Sequence, residues 1–137
     1  MSGETQLSVL LSSMEPKLQS GRWVFATIAQ EELAGVLEKI PASDIQGLYR
    51  EAEGCSLILS EEQANSLNIE CSEAFAAISL SIHSSLEAVG LTAAISTALA
   101  KDGISANVVA AYFHDHIYVP INKADDALAC LNNLSKA

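Results

Sequence analysis

The chain is poor in basic residues and in cysteine, and each shortage excludes a class of protein. Its 137 residues carry 7 Lys and Arg against 17 Asp and Glu, which gives a formal net charge of -10. Such a surface repels phosphate backbones and anionic lipid, so we expect no nucleic-acid partner and no membrane partner. Cys55, Cys71 and Cys130 are odd in number and form no C-x-x-C pair. We therefore expect buried free thiols rather than a disulfide framework or a zinc site.

The sequence also lacks a membrane-spanning run, a secretion signal and the short motifs of common enzymes. No segment approaches about 18 unbroken apolar residues, and acidic Glu4 rather than a basic cluster precedes the first short apolar face. The chain contains no G-x-S-x-G, P-loop, Rossmann or H-E-x-x-H motif. These absences predict a cytoplasmic protein that is not an enzyme and holds no cofactor.

Apolar residues are abundant, and their spacing predicts the elements of the first half of the chain. Hydrophobic residues make up 50% of the sequence, which excludes a disordered chain. Leu7, Leu10 and Met14 follow helical spacing and predict a short first helix. Residues 23–28 are aromatic and β-branched, which favours a buried strand. Residues 30–43 stay ambiguous, because a proline interrupts the helical spacing of their apolar residues.

A hairpin followed by a helix occurs twice, 61 residues apart. In the first copy, residues 45–52 and 55–59 flank Glu53-Gly54, a tight turn at which glycine can take a positive φ. A helix is expected directly afterwards, over residues 61–67. In the second copy His114-Asp115 stands where the first has Glu53-Gly54. The chain therefore contains a weak internal duplication.

The second copy begins with a strand near residue 78. The residue pattern after it predicts three further elements. A helix is expected over residues 84–101, because its apolar residues lie on one face. A strand is expected over residues 104–113, where side chains alternate between two faces. Residues 124–134 have the spacing of a last amphipathic helix.

The order of these elements, together with short motifs at fixed offsets, resembles an ACT domain. The motifs are Ala88-Val89-Gly90-Leu91 at the start of a helix, Asp102-Gly103-Ile104 at its exit, and a hairpin that ends in Val119-Pro120. The resemblance implies an α+β fold of ferredoxin-like βαββαβ modules, with antiparallel sheets and helices on one face. It divides the chain into an N-terminal ACT-like half, residues 1–69, and a C-terminal ACT domain, residues 70–137.

A βαββαβ module ends in a fourth strand, yet this chain ends in its last helix. Another segment must occupy that position in the sheet. The hypothesis from the sequence is that residues 23–28 return to pair with the partner half, so that the two modules interlock.

The loop between the strand near residue 78 and the helix is the first candidate ligand site. Unpaired amides and the positive dipole end at a helix start can hold a carboxylate without arginine, and Glu87 could meet a ligand ammonium group. An alternative is that Ser84 or Ser85 only caps the helix and that Gly90 only permits close packing. The resemblance to ACT domains implies a ligand site at the following residues: Ser84, Ser85, Glu87, Val89, Gly90, Leu91 and Ser105.

The hairpin tip, Tyr112 to His116, is the second candidate. The layout of the chain also resembles tandem ACT proteins that include the cytosolic arginine sensors of animals. That resemblance implies contacts of Tyr112 and Asp115 with a bound amino acid. An alternative is a small metal site at His114, Asp115 and His116, since imidazole and carboxylate suit transition metals.

These observations leave three hypotheses for function. The first is a non-enzymatic regulatory ACT protein, an allosteric sensor that binds an amino acid or a similar small metabolite, forms a homodimer and acts on a protein partner. The second is a structural or protein-interaction module without a ligand. The third is a small metal-binding protein that uses the hairpin tip. The sequence names neither the ligand nor the regulated partner.

Overall fold

The structure, a computed structural model, describes residues 6–82 and 89–136. Its helices are α1 Leu7–Ser12, α2 Leu33–Lys39, α3 Glu61–Ser66, α4 Leu91–Lys101 and α5 Ala124–Lys136. Its strands are β1 Pro16–Leu18, β2 Trp23–Ile28, β3 Ile45–Arg50, β4 Cys55–Ser60, β5 Phe75–Leu80, β6 Asn107–Ala110 and β7 Asp115–Pro120. Short 3-10 turns cover Gln30–Glu32, Ala42–Asp44 and Ile121–Lys123. In residues 6–82 and 89–136, no helix is both long enough and apolar enough to cross a membrane.

The chain folds into two compact units. One is residues 21–75, here called the central unit. The other combines residues from 1–20 with residues from 76–137 and is called the terminal unit. The division implied by the ACT resemblance, into an N-terminal half of residues 1–69 and a C-terminal domain of residues 70–137, stays a prediction.

The central unit is a ferredoxin-like module built from β2, α2, β3, β4 and α3. Its strands lie in the order β3-β4-β2 and pair antiparallel. The edge of β2 that faces away from β4 is hydrogen-bonded to the segment after α3. Thr27 N–H donates to Glu70 O at 3.1 Å, and Ser72 N–H donates to Phe25 O at 2.8 Å. This segment takes the place of the fourth strand.

The core of the central unit lies between the inner face of its sheet and the two helices. Alternate residues of β2 and β4 point inward, as expected for a sheet covered on one face. The buried residues are Val24, Ala26, Ile28, Ile40, Cys55, Leu57, Leu59 and Ala64. Leu33 and Val36 of α2 pack against this cluster, so the ambiguous residues 30–43 are helical over Leu33–Lys39.

The terminal unit repeats the same order with β5, α4, β6, β7 and α5. Its fourth strand comes from the start of the chain, since β1 pairs antiparallel with β5 in the register Lys17 to Ser79. Gln19 N–H extends the ladder by donating to Ala77 O at 2.8 Å. The hypothesis that residues 23–28 fill this position is wrong, because β1 occupies it. Strand β2 pairs with β4 along its length and meets β5 at the pair Trp23–Phe75, inside the central unit.

The core of the terminal unit joins β5 and β7 to three helices. Helix α1 contributes because Leu10, within it, and Met14, just after it, are fully buried. The buried residues are Leu10, Met14, Ala76, Ile78, Leu80, Leu91, Ile95, Leu99, Ile104, Ile117, Val119, Ala127, Cys130 and Leu131. Cys55, Cys71 and Cys130 are free thiols, of which Cys55 and Cys130 are buried.

Two predicted elements of the terminal unit are shorter than expected. Helix α4 begins at Leu91, because the preceding Gly90 has a left-handed φ of +98° and cannot lie inside a right-handed helix. Residues 84–88 of the predicted helix lie outside the described residues. Strand β6 ends at Ala110, because Ala111 N–H donates to His114 O at 3.1 Å and closes the turn.

Candidate functional site

The predicted site residues fall around the end of β5, the start of α4 and the tip of the β6–β7 hairpin in the terminal unit. Ser84, Ser85 and Glu87 lie outside the described residues. Val89 is 83% exposed, and Leu91 is buried in the core. The structure therefore places one predicted contact residue at the surface and one in the interior.

Gly90 sets the geometry at the start of α4. Its carbonyl accepts the first helical hydrogen bond, from Ala94 N–H at 2.9 Å. A Cβ atom at this position would lie 3.2 Å from Cδ2 of Leu7 in α1. A glycine therefore meets two requirements here, a left-handed φ and a close approach of α1. This contact gives Gly90 a packing role, whether or not a ligand approaches it.

The hairpin tip presents two aromatic side chains to solvent. Tyr112 is 55% exposed and Phe113 is 62% exposed. Their ring centroids lie 4.9 Å apart at an interplanar angle of 73°, the edge-to-face geometry that aromatic pairs favour. An exposed pair of this kind offers a platform for a ligand or for a protein partner.

Below the tip, two histidines tie the hairpin to β5 and to the residues that follow it. His116 Nδ1 lies 2.7 Å from Ser79 Oγ, and His114 Nδ1 lies 3.3 Å from Ile82 O. Burial lowers the pKa of His116, the nearby His114 lowers it further, and Asp115 opposes the change. Because the lowered pKa favours the neutral imidazole at position 116, the contact between His116 and Ser79 is polar but uncharged near neutral pH.

Asp115 is the buried carboxylate of this region. Its exposed fraction is 9%, and it begins β7 opposite Ala110 in the hairpin ladder. Aspartate is seldom buried, since removing a carboxylate from water costs free energy unless it has partners. A carboxylate in the same hairpin as an exposed aromatic pair can attract a positively charged ligand group.

Ser105 lies apart from these residues. It is exposed and precedes β6, whereas Tyr112 and Asp115 follow that strand. The four residues of β6 therefore separate Ser105 from the hairpin tip along the sheet.

The corresponding place in the central unit is closed by its own side chains. Gln30 Nε2 donates to Glu51 O at 2.6 Å, and Cys55 Sγ donates to Gln30 Oε1 at 3.0 Å. Ala29 N–H donates to Glu32 Oε1 at 3.1 Å. Sequence reasoning missed Gln30. The 61-residue repeat could have identified it, because its partner Glu51 corresponds to Tyr112 at the hairpin tip.

The side chains of the hairpin tip do not form a metal cluster. Over residues 6–82 and 89–136, no three His, Cys, Asp or Glu side chains come together in a way that could hold a metal ion. Instead, His114 and His116 contact the oxygen atoms of Ile82 and Ser79.

Comparison with protein families gives two matches, both to families described as ACT domain. One covers residues 2–76 and the other covers residues 71–133. No protein of curated function has a matching sequence.

Solved structures with the same fold include one of high sequence identity. A protein of unknown function from Vibrio cholerae, described as a possible transport protein, is 45% identical, with 94% of this chain and 95% of that chain covered and a TM-score of 0.82. The regulatory subunit of aspartate kinase from Thermus thermophilus is 12% identical, with 89% and 97% covered and a TM-score of 0.64. A protein from Agrobacterium tumefaciens is 18% identical, with 88% and 87% covered and a TM-score of 0.66.

Proposed function

The chain belongs to the ACT domain family, and on that premise we propose that it is a non-enzymatic regulatory protein that binds an amino acid or a similar small metabolite. ACT domains are typically small-ligand-binding regulatory domains, and this chain carries two in tandem. We place the ligand in the terminal unit, at the start of α4 and the tip of the β6–β7 hairpin.

The difference between the two units is the observation that carries this proposal. In the central unit, Gln30 bridges the loop before α2 to Glu51 and Cys55 of the hairpin. In the terminal unit, the corresponding hairpin carries an exposed aromatic pair, Tyr112 and Phe113, and the buried Asp115. The aromatic rings and the carboxylate at the terminal tip are the groups that support a ligand there.

Each predicted residue has a chemical role in this proposal. The loop residues Ser84, Ser85 and Glu87, with Val89, Gly90 and Leu91, would surround the carboxylate and ammonium groups of the ligand. Asp115 would attract a positively charged group, and Tyr112 would cover the ligand from solvent. Ser105 would contact the ligand only if a second copy of the chain contributed it, because β6 separates it from the tip.

A homodimer in the cytoplasm is part of this proposal. Sheets joined side by side would bring Ser105 of one copy near the loop of the other. Ligand binding would then shift the equilibrium between dimer states or between partner-bound states, since a ligand biases only states that it contacts differently.

A thermal-shift screen of the proteinogenic amino acids tests the proposal. A ligand at roughly 100 times its dissociation constant adds about 2.7 kcal/mol of stability and raises Tm by several degrees. The variants Glu87→Ala and Tyr112→Ala are expected to remove the shift. Tyr49→Ala is the matched control, since Tyr49 is a 74% exposed tyrosine on β3 of the central unit.

Calorimetric titration of Asp115→Asn completes the test, because it measures binding to folded protein even if the substitution lowers stability. Loss of binding there, with binding retained in Tyr49→Ala, supports the site. A screen without any shift, or equal binding in all variants, contradicts the proposal.

A protein-interaction module is the second candidate function. The exposure of Tyr112 and Phe113 favours it, since their rings lie together and contiguous exposed apolar side chains mark protein contacts. A flat ligand screen, combined with capture of a protein partner that Tyr112→Ala abolishes, would support this function instead.

A further inference from the structure

Helix α1 depends on its contacts with the rest of the terminal unit. It has six residues, with no acidic side chain in its first turn and no basic side chain in its last turn. Isolated helices shorter than about 12 residues are marginal in water. Leu10 and Met14 are nevertheless fully buried, and α1 contacts both α4 and α5. The surfaces of α4 and α5 therefore hold this short helix in place.

The connection between α1 and β1 is short and strained. Only Ser13, Met14 and Glu15 separate the end of α1 from the start of β1. Glu15 has a left-handed φ of +41°, a conformation that is unfavourable for residues other than glycine, asparagine and aspartate. Pro16 follows, and a residue before proline prefers an extended conformation. Glu15 is thus held away from the conformation that its own type and its neighbour favour.

Hydrogen bonds to one serine hold this connection in its strained form. Ser81 N–H donates to Met14 O at 3.1 Å, and Ser81 Oγ donates to Glu15 O at 2.9 Å. An extended Glu15 would carry Met14 and α1 away from their own α4 and α5. The lost contacts could then be restored by a second copy of the chain, because it has the same residues at the same places. A short hinge under strain favours such an exchange.

The segment before the hinge carries no charge, although the chain is acidic. Residues 6–14 contain no Asp, Glu, Lys, Arg or His, whereas the chain has a formal net charge of -10. Two acidic copies repel each other, but an uncharged segment can enter the other copy without adding to that repulsion. Val9 and Leu18, on either side of the hinge in the sequence, are 38% and 40% exposed. A second copy could cover this apolar surface.

We propose that α1 is exchanged between two copies of the chain, with Glu15 as the hinge. In the exchanged dimer, Leu10 and Met14 of each copy fill the places of the same residues in the other copy, and Glu15 is extended. Each copy keeps its own pairing of β1 with β5, because β1 lies after the hinge. This dimer differs from one with sheets joined side by side, and it forms without a ligand.

Sedimentation velocity of the full chain, equilibrated over a series of concentrations, measures the dimer. Glu15→Gly removes the strain from the unexchanged form. It is expected to raise the dimer Kd about tenfold for each hinge, hence about a hundredfold for a dimer with two hinges. Glu15→Val is expected to lower the dimer Kd by about tenfold or more, because a β-branched residue tolerates a left-handed φ less well than glutamate does.

Asn68 supplies the matched control. It is also a residue other than glycine with a left-handed φ, of +54°, and it belongs to the central unit. Asn68→Gly and Asn68→Val change the strain of the backbone at a position that is not part of the hinge. Both variants are expected to keep the dimer Kd of the unchanged chain.

Isotope-filtered NMR spectra of dimers formed from labelled and unlabelled chains test the exchange directly. In the exchanged dimer, NOEs are expected between Leu10 of one copy and α4 or α5 of the other. The Glu15→Val variant is the sample of choice, since its dimer should be the more stable one.

Three results would overturn the proposal. Both the unchanged chain and Glu15→Val could remain monomers, the dimer Kd could stay the same in both Glu15 variants, or the NOEs between copies could join sheet edges and leave Leu10 out. The last result would support the side-by-side dimer of the proposed function, so the spectra distinguish the two dimers.

Discussion

Two side chains, one in each unit, distinguish the hairpin tips. The central unit uses Gln30, whose amide reaches Glu51 and accepts a hydrogen bond from Cys55. The terminal unit uses His114, which contacts Ile82 O at 3.3 Å. A glutamine amide donates and accepts at once and so joins two residues of its hairpin, whereas the His114 imidazole makes its contact through Nδ1.

Spacing in the sequence located the terminal tip but not these contacts. The 61-residue repeat aligned His114 and Asp115 with Glu53 and Gly54 of the first copy. The burial of Asp115 could not be derived from spacing, because alternation along a strand gives a face and not the depth of a side chain. Exposed Tyr112 and Phe113 were expected inside a strand, and the turn closed by Ala111 placed them outside it.

Gly54 is required by a steric contact rather than by a left-handed turn. Its φ of +158° is close to extended, but a Cβ atom there would lie 2.8 Å from Ile28 O, inside van der Waals contact. Gly54→Ala is therefore expected to destabilise the chain by about 1–3 kcal/mol in urea unfolding. Gly35→Ala is the control, because nothing lies within 4 Å of that Cβ position in α2. This substitution should raise the free energy of unfolding by as much as about 1 kcal/mol, since alanine favours a helix more than glycine does. Equal stability of the two variants would contradict the steric role given to Ile28 O at position 54.

At the scale of elements, the long periodic segments were predictable and the shortest strand was not. Strand β2 and helices α1 and α5 follow the residue patterns that predicted them, and β4 and α3 follow the predicted order of a hairpin and then a helix. Strand β1 has only three residues and begins with Pro16, which is too short to show a period of two. Its position depends on β5, about 60 residues away, so only tertiary pairing reveals it.

The ladder between β1 and β5 makes a test of this strand possible. Gln19→Pro removes the N–H that donates to Ala77 O at 2.8 Å and is expected to cost about 1–3 kcal/mol, because a buried carbonyl loses its partner. Gln19→Ala keeps the N–H and should change stability by less than about 0.5 kcal/mol. Hydrogen exchange should show faster exchange along β5 in the proline variant alone. Unchanged protection of Ser79, which pairs with Lys17 of β1, would show that β1 does not hold this edge.

At the scale of the whole molecule, the negative charge is unevenly divided between the two units. Residues 21–75 contain ten acidic and three basic side chains, and the rest of the chain contains seven and four. The ion pair between Arg22 Nε and Glu61 Oε1, at 2.7 Å, is exposed to solvent, and such pairs contribute little. Repulsion among carboxylates should therefore outweigh attraction in the central unit.

This balance predicts that salt stabilises the chain. The Debye length falls from about 30 Å at roughly 0.01 M to about 3 Å at roughly 1 M, so added sodium chloride screens repulsion between carboxylates on the surface. We expect the free energy of unfolding in urea to rise by about 1 kcal/mol over this range at pH 7. A chain with Glu38, Glu53 and Glu73 changed to Gln should respond less, because these exposed carboxylates belong to the acidic central unit. A loss of stability with salt would mean that attractive ion pairs dominate. Substitution of Arg22, which forms the pair with Glu61, would then be the first variant to measure.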